Sequence, residues 1–91
     1  MDKIKYELNN TKDGLNNKEY DDYFDKIKYE GEYLNGKRNG KGKEYYYHGV
    51  LYYDGEYLDG ERNGKGKEYN FDGKLISEVE YLNGNKISKK I

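Results

Sequence analysis

The sequence predicts an all-β fold, a repeat array of stacked antiparallel β-hairpins forming a twisted, curved open sheet. Three observations carry that prediction. Residues 29–52 and 53–76 align without a gap at 16 of 24 positions, the mark of a repeat architecture. Within each copy the residues alternate with the period of two expected of a strand, Tyr53, Gly55 and Tyr57 against Asp54, Glu56 and Leu58. Twelve glycines at recurring offsets disfavour helix and supply turns.

Taken in order, a degenerate N-terminal repeat covers 4–28, full repeats cover 29–52 and 53–76, and a partial C-terminal repeat covers 77–91, all in one domain. The worn copy shows where Leu8–Tyr20 parallels Leu34–Tyr45 with one inserted residue. Degenerate ends are expected of repeats that cap an array. His48-Gly49 and Asp72-Gly73 lie between strand-like runs and suit two-residue hairpin loops. Asn35–Gly40 reads as a longer loop rich in turn formers.

Pairing outward from His48-Gly49 sets Lys43 against Asp54 and Lys41 against Glu56. Pairing from Asp72-Gly73 sets Lys67 against Glu78 and Lys65 against Glu80. Each opposite-charge pair contributes up to about 1 kcal/mol. The same register puts Gly40 opposite Tyr57 and Gly64 opposite Tyr81, with a ring covering each glycine. One face then carries Gly40, Gly42, Tyr46, Leu51, Tyr53, Gly55 and Tyr57, and curves into a trough. The other carries paired charges, with Tyr45, Tyr47, Val50 and Tyr52 near the loop.

Composition bounds the function. Ninety-one residues, 38% of them charged and only 33% apolar, with thirteen tyrosines, fit a thin sheet better than a thick globule. The net charge of −1, from 17 basic and 18 acidic residues, gives no field to steer the chain onto nucleic acid or an anionic membrane. Cysteine is absent, so thiolate and disulfide chemistry are excluded. No apolar run approaches a membrane span, and cytoplasmic residence is the expectation.

The pattern Y-x-G-x-Y-x-x-G-x-x-x-G-x-G at Tyr29–Gly42 and Tyr53–Gly66 resembles the MORN repeat. Tyr33, Tyr57 and Tyr81 stand where most copies have tryptophan. Gly49 and Gly55 are six residues apart where five is usual, which makes the period 24 and resembles the variant repeat of bacterial proteins. The resemblance implies a MORN-type meander of hairpins and a binding role: protein contact, homodimerisation, at times membrane association. Some bacterial relatives of this kind are classed as antitoxins or immunity proteins.

Candidate chemistry is thin. His48 is the only histidine and holds a turn position that Asp72 takes one period later. The recurring acids face lysines. Gly40–Lys43 and Gly64–Lys67 resemble phosphate loops, yet no helix follows to present its N-terminus. No enzyme, cofactor or metal site is implied. The expected function is a non-enzymatic scaffold that binds another protein through a groove lined by Tyr29, Tyr33, Tyr46, Tyr53, Tyr57 and Tyr81. Lys37, Arg38 and Arg62 are the candidate contacts for lipid headgroups or phosphate, as a subordinate reading. Self-association through the open sheet edges is a further expectation; binding of nucleic acid is not expected.

Overall fold

The computed structural model describes residues 4–7, 14–21, 23 and 26–91. Its strands are β1 (Ile4–Glu7), β2 (Gly14–Asp21), β3 (Lys26–Leu34), β4 (Lys37–Tyr45), β5 (Leu51–Leu58), β6 (Glu61–Tyr69), β7 (Leu75–Leu82) and β8 (Asn85–Lys90). They form one eight-stranded sheet in sequence order, and every neighbouring pair is antiparallel. The all-β hairpin meander is therefore the fold. The stretch 8–13 of the worn copy lies outside the described residues.

The register read from the sequence holds. Lys41 pairs with Glu56, Lys43 with Asp54 and Gly40 with Tyr57. One repeat later Lys65 pairs with Glu80, Lys67 with Glu78 and Gly64 with Tyr81.

The turns differ from expectation, because the two loop types are exchanged. Asn35-Gly36, Asp59-Gly60 and Asn83-Gly84 are the two-residue turns, each with both residues at positive φ: 53° and 76°, 55° and 90°, 49° and 84°. Asparagine or aspartate before glycine tolerates that doubly left-handed geometry, whose twist matches the flanking strands. Lys37–Gly40, expected in a loop, already belongs to β4.

At the other end of the sheet the loops hold three residues. Tyr46 donates its N–H to the Val50 carbonyl and Gly49 donates to the Tyr46 carbonyl, both at 2.9 Å. Asn70, Lys74 and Gly73 repeat the arrangement at 2.8 Å. A three-residue loop shifts the pairing by one, and a bulge restores it. Tyr45 faces Leu51 while Glu44 faces Tyr53, so Tyr52 is the extra residue; Ile76 is its counterpart in β7. The twenty-fourth residue of the repeat is thus absorbed as a β-bulge, which strengthens local twist.

Ring-over-glycine packing is present at different glycines from those expected. The Tyr29 ring lies where a Gly42 side chain would start, and the Tyr53 ring covers Gly66 and Gly55 in the same way. Gly40 and Gly64, at φ +90° and +101°, sit in bulges where the carboxylates of Glu32 and Glu56 fill the space. Those carboxylates accept the main-chain N–H of Lys41 at 3.0 Å and of Lys65 at 2.8 Å. They cap the bulge, and Glu56 does so although Lys41 faces it across the ladder.

Successive hairpins are also clipped at their turns. Gly60 donates to the Arg38 carbonyl and Gly84 to the Arg62 carbonyl, each at 2.9 Å. The side chains of Asn39 and Asn63 accept the N–H of Asp59 at 3.2 Å and of Asn83 at 2.8 Å.

The core is Tyr29, Tyr33, Tyr53, Tyr57, Val79 and Tyr81, all on one face. Edge-on ring contacts link them across hairpins: Tyr29 to Tyr57 at 5.2 Å and Tyr53 to Tyr81 at 5.7 Å between centroids. Such geometry places the positive edge of one ring on the negative face of the next.

Two glycine substitutions separate packing from backbone strain. Gly66→Ala drives a methyl into the fully buried Tyr53 ring and is expected to cost about 3 kcal/mol, at the upper end of overpacking. Gly49→Ala meets no atom within 4 Å but holds φ +91°, and should cost only about 1 kcal/mol. Denaturant unfolding of both variants checks the order.

Candidate functional site

The two faces of the sheet divide polar from aromatic in an unexpected way. Alternation along β4 puts Glu44 on the same side as Gly40 and Gly42, among the tyrosines. Its carboxylate accepts from Arg62 Nε and Nη2, both at 3.0 Å, and from the Tyr57 hydroxyl. Arg38 Nη1 stands 3.6 Å away. One hairpin earlier, Glu19 is held by Arg38 Nε and Nη2 at 2.8 and 2.9 Å and by the Tyr33 hydroxyl. One hairpin later, Glu68 takes Ser77 Oγ at 2.7 Å, the Tyr81 hydroxyl at 3.2 Å and Lys86 Nζ at 2.8 Å.

A continuous ladder follows, because Arg62 Nη1 also donates to the Tyr81 hydroxyl at 2.7 Å. It runs from Glu19 on β2 to Lys86 on β8. The arginines double as lids on the rings: Arg38 lies 4.3 Å over Tyr29 and Arg62 lies 3.9 Å over Tyr53. Planar guanidinium suits both tasks, the bidentate carboxylate bond and the stacking. The sequence carried a signal for these acids in the triplet Lys-Glu-Tyr at 18–20, 43–45 and 67–69. Strand parity assigns its middle residue to the aromatic face.

Sequence-predicted site residues therefore occupy a different setting. Tyr29, Tyr33, Tyr53, Tyr57 and Tyr81, expected to line a groove, are at most 8% exposed and form the core itself. Tyr46 is half-buried at the loop end, where its hydroxyl donates to the Tyr69 carbonyl at 2.8 Å. Arg38 and Arg62 are held within the ladder, with side chains 19% and 16% exposed. Lys37 is exposed. His48 Nε2 lies 2.9 Å from the Phe71 carbonyl, and its ring stacks on Phe71 with centroids 4.0 Å apart. It joins one three-residue loop to the next, a link visible only once the hairpins are placed side by side.

The opposite face is open. Across it, residues paired strand to strand alternate in sign: Lys18 with Glu30, Glu30 with Lys43, Lys43 with Asp54, Asp54 with Lys67, Lys67 with Glu78, and Glu78 with Lys90. Lys41, Glu56, Lys65 and Glu80 form a second, parallel row. A hollow of about 580 Å³ opens over these two rows from β4 to β8. Beside them, at the turn end, Leu34, Leu58 and Leu82 recur once per hairpin at 49%, 51% and 53% exposure. Leucine left half in water at three equivalent places is an apolar part of this face.

The repeat's spacing and its hairpins now have a counterpart among known families. A family model described as MORN repeat matches residues 29–50 and 53–74, two consecutive copies. The chain is a MORN-repeat protein. MORN repeats generally serve as protein- or membrane-interaction modules rather than catalysts. No curated protein and no solved structure matches this MORN chain. Among the described residues, no helix is long and apolar enough to cross a membrane, and no group of three or more acids and histidines is placed to hold a metal ion.

Electrostatics fix the pH range of this MORN array. Burial alone would raise the Glu44 carboxyl, but hydrogen bonds from Arg62 and Tyr57 and the charges of both arginines hold it below its ordinary 4.5. Its stabilisation is complete above pH 4.5 and is lost as the pH falls through the lower native value. Glu44→Gln leaves Arg38 and Arg62 without their shared anion and should cost on the order of 3 kcal/mol at neutral pH. The variant should also unfold with a shallower dependence on pH below 4.5, which acid titration followed by circular dichroism measures.

At the alkaline end, burial pushes the Tyr53 hydroxyl from 10.0 up to about 12. The unfolded chain releases this proton first, so the Tyr53 contribution to stability is full below pH 10 and declines as the pH rises towards 12. The part of the ultraviolet tyrosinate absorbance that comes from the buried tyrosines should therefore rise in step with loss of the β-sheet signal. Full ionisation of the tyrosines with the sheet intact would contradict the buried core.

Proposed function

We propose that this chain is a non-enzymatic scaffold that binds another protein on the open, charge-striped face of its sheet. The single observation carrying the reading is the division of labour between faces. Tyrosine, arginine and glutamate are consumed in the core ladder of one face. The other repeats half-exposed leucine beside alternating charge, once per hairpin. Exposed apolar groups flanked by polar ones are the ordinary mark of an interaction surface. An antitoxin- or immunity-type pairing is one form of this role, with a toxin as the partner.

Lipid contact is less favoured, because Arg38 and Arg62 already satisfy buried carboxylates and the remaining lysines alternate with acids. A polybasic lipid site relies on cations without interleaved anions.

The test compares tagged wild-type protein with Leu58→Glu/Lys67→Glu, both changes lying at exposed positions. Native lysate should yield a stoichiometric protein partner with the wild type, reduced at least tenfold by the double variant at unchanged melting temperature. Equal recovery by the double variant would reject the open face. Salt-sensitive flotation with anionic liposomes in place of a protein partner would reject the protein-binding role.

A further inference from the structure

We infer that the open face is built to receive an amphipathic α-helix lying across the strands, in the phase of one heptad per hairpin. This rests on the protein-binding role and names the shape and chemistry of the partner segment. The argument is one of matched spacings. Neighbouring strands lie about 4.8 Å apart, so equivalent positions on successive hairpins recur about every 9.6 Å. Seven residues of α-helix rise about 10.5 Å. Leu34, Leu58 and Leu82 stand on β3, β5 and β7, and meet helix residues at i, i+7 and i+14 with about 2 Å of accumulated mismatch. Long side chains absorb that.

Charge order supplies the second match. The sign alternates at every strand along Lys43, Asp54, Lys67 and Glu78. A helix face with opposite charges alternating at i, i+3 and i+7 changes sign about every 5 Å, in step with the strands. Along β5, Leu58 and Asp54 are four residues apart, about 13 Å. A helix of about 10 Å diameter seated over Glu56 and Lys65 touches leucines on one flank and the alternating row on the other. The hollow lies there, lined by Lys41, Asp54, Glu56, Lys65, Lys67 and Glu78 among others.

An extended segment does not fit this phase. Its same-face residues recur about every 6.8 Å, so apolar and charged groups fall out of step within two hairpins. The occupant is thus a helix with apolar residues at heptad spacing, beside a stripe of alternating lysine and glutamate.

The probe is a synthetic three-heptad peptide with leucine at i, i+7 and i+14 and alternating Lys and Glu on the adjoining stripe. Isothermal titration and amide chemical shifts of the labelled protein read its binding. The expected result is saturable binding, peptide helicity rising on complex formation, and shifts confined to the open face around Leu58, Asp54 and Lys67. Leu58→Glu should weaken binding at least tenfold. Asp54→Lys/Lys67→Asp should weaken it similarly, and a peptide with the facing charges exchanged should restore it. Equal binding of a peptide of the same composition in scrambled order would overturn the heptad phase. Binding only by a proline-interrupted extended peptide would overturn the helix while leaving the protein-binding role intact. A lysate partner captured through the open face, with no binding by the phased peptide, would also overturn the helix alone.

Discussion

A sheet one layer thick has no second layer to cover it, so its core must be made on one face from its own side chains. The ring-over-glycine contact makes that possible. Tyr29 and Tyr53 can lie flat against the neighbouring strands only because Gly42 and Gly66 have no Cβ. Ring, backbone and next ring then approach closely enough for Tyr53 to meet Tyr57 at 6.0 Å and Tyr81 at 5.7 Å. Aromatic side chains bring large area to a fold with few aliphatic residues. Without those glycines the rings would stand away from the sheet and water would reach the backbone beneath them.

That packing creates a second demand, since tyrosine carries a hydroxyl into the interior. Glu19, Glu44 and Glu68 accept from Tyr33, Tyr57 and Tyr81, and the buried acids then need cations. Arg38, Arg62 and Lys86 provide them, while the two arginines close the ring stack from outside. A half-satisfied network would be worse than none, because an unpaired buried charge costs several kcal/mol. Arg38 also offers its carbonyl to the turn of the next hairpin. Ring stack, charge ladder and turn clip therefore meet in one residue per repeat, and each hairpin is completed by its neighbour, as in other linear arrays.

The same arrangement sorts side chains by face. Residues that look adhesive in the sequence are spent on internal cohesion. Those that look like inert solvated charge form a surface with regular spacing and recurring half-exposed leucine.

Repetition in the sequence determined the all-β class, the hairpin register and the charge alternation, because period and parity are local properties of a chain. It also placed glycine and tyrosine on one face. The sequence reading gave the tight turns to His48-Gly49 and Asp72-Gly73, whereas the structure makes them at Asn35-Gly36, Asp59-Gly60 and Asn83-Gly84; only hydrogen bonding across the loops separates the two geometries. Which glycine lies under which ring depended on the bulges at Gly40, Gly64, Tyr52 and Ile76, since each resets the pairing by steps that no local pattern encodes. The tertiary structure alone decided that Tyr29, Tyr33, Tyr53, Tyr57 and Tyr81 are buried in the core. Burial is a property of neighbours: a ring at the centre of an array is covered by hairpins before and after it, and a single repeat read in isolation leaves the same ring exposed.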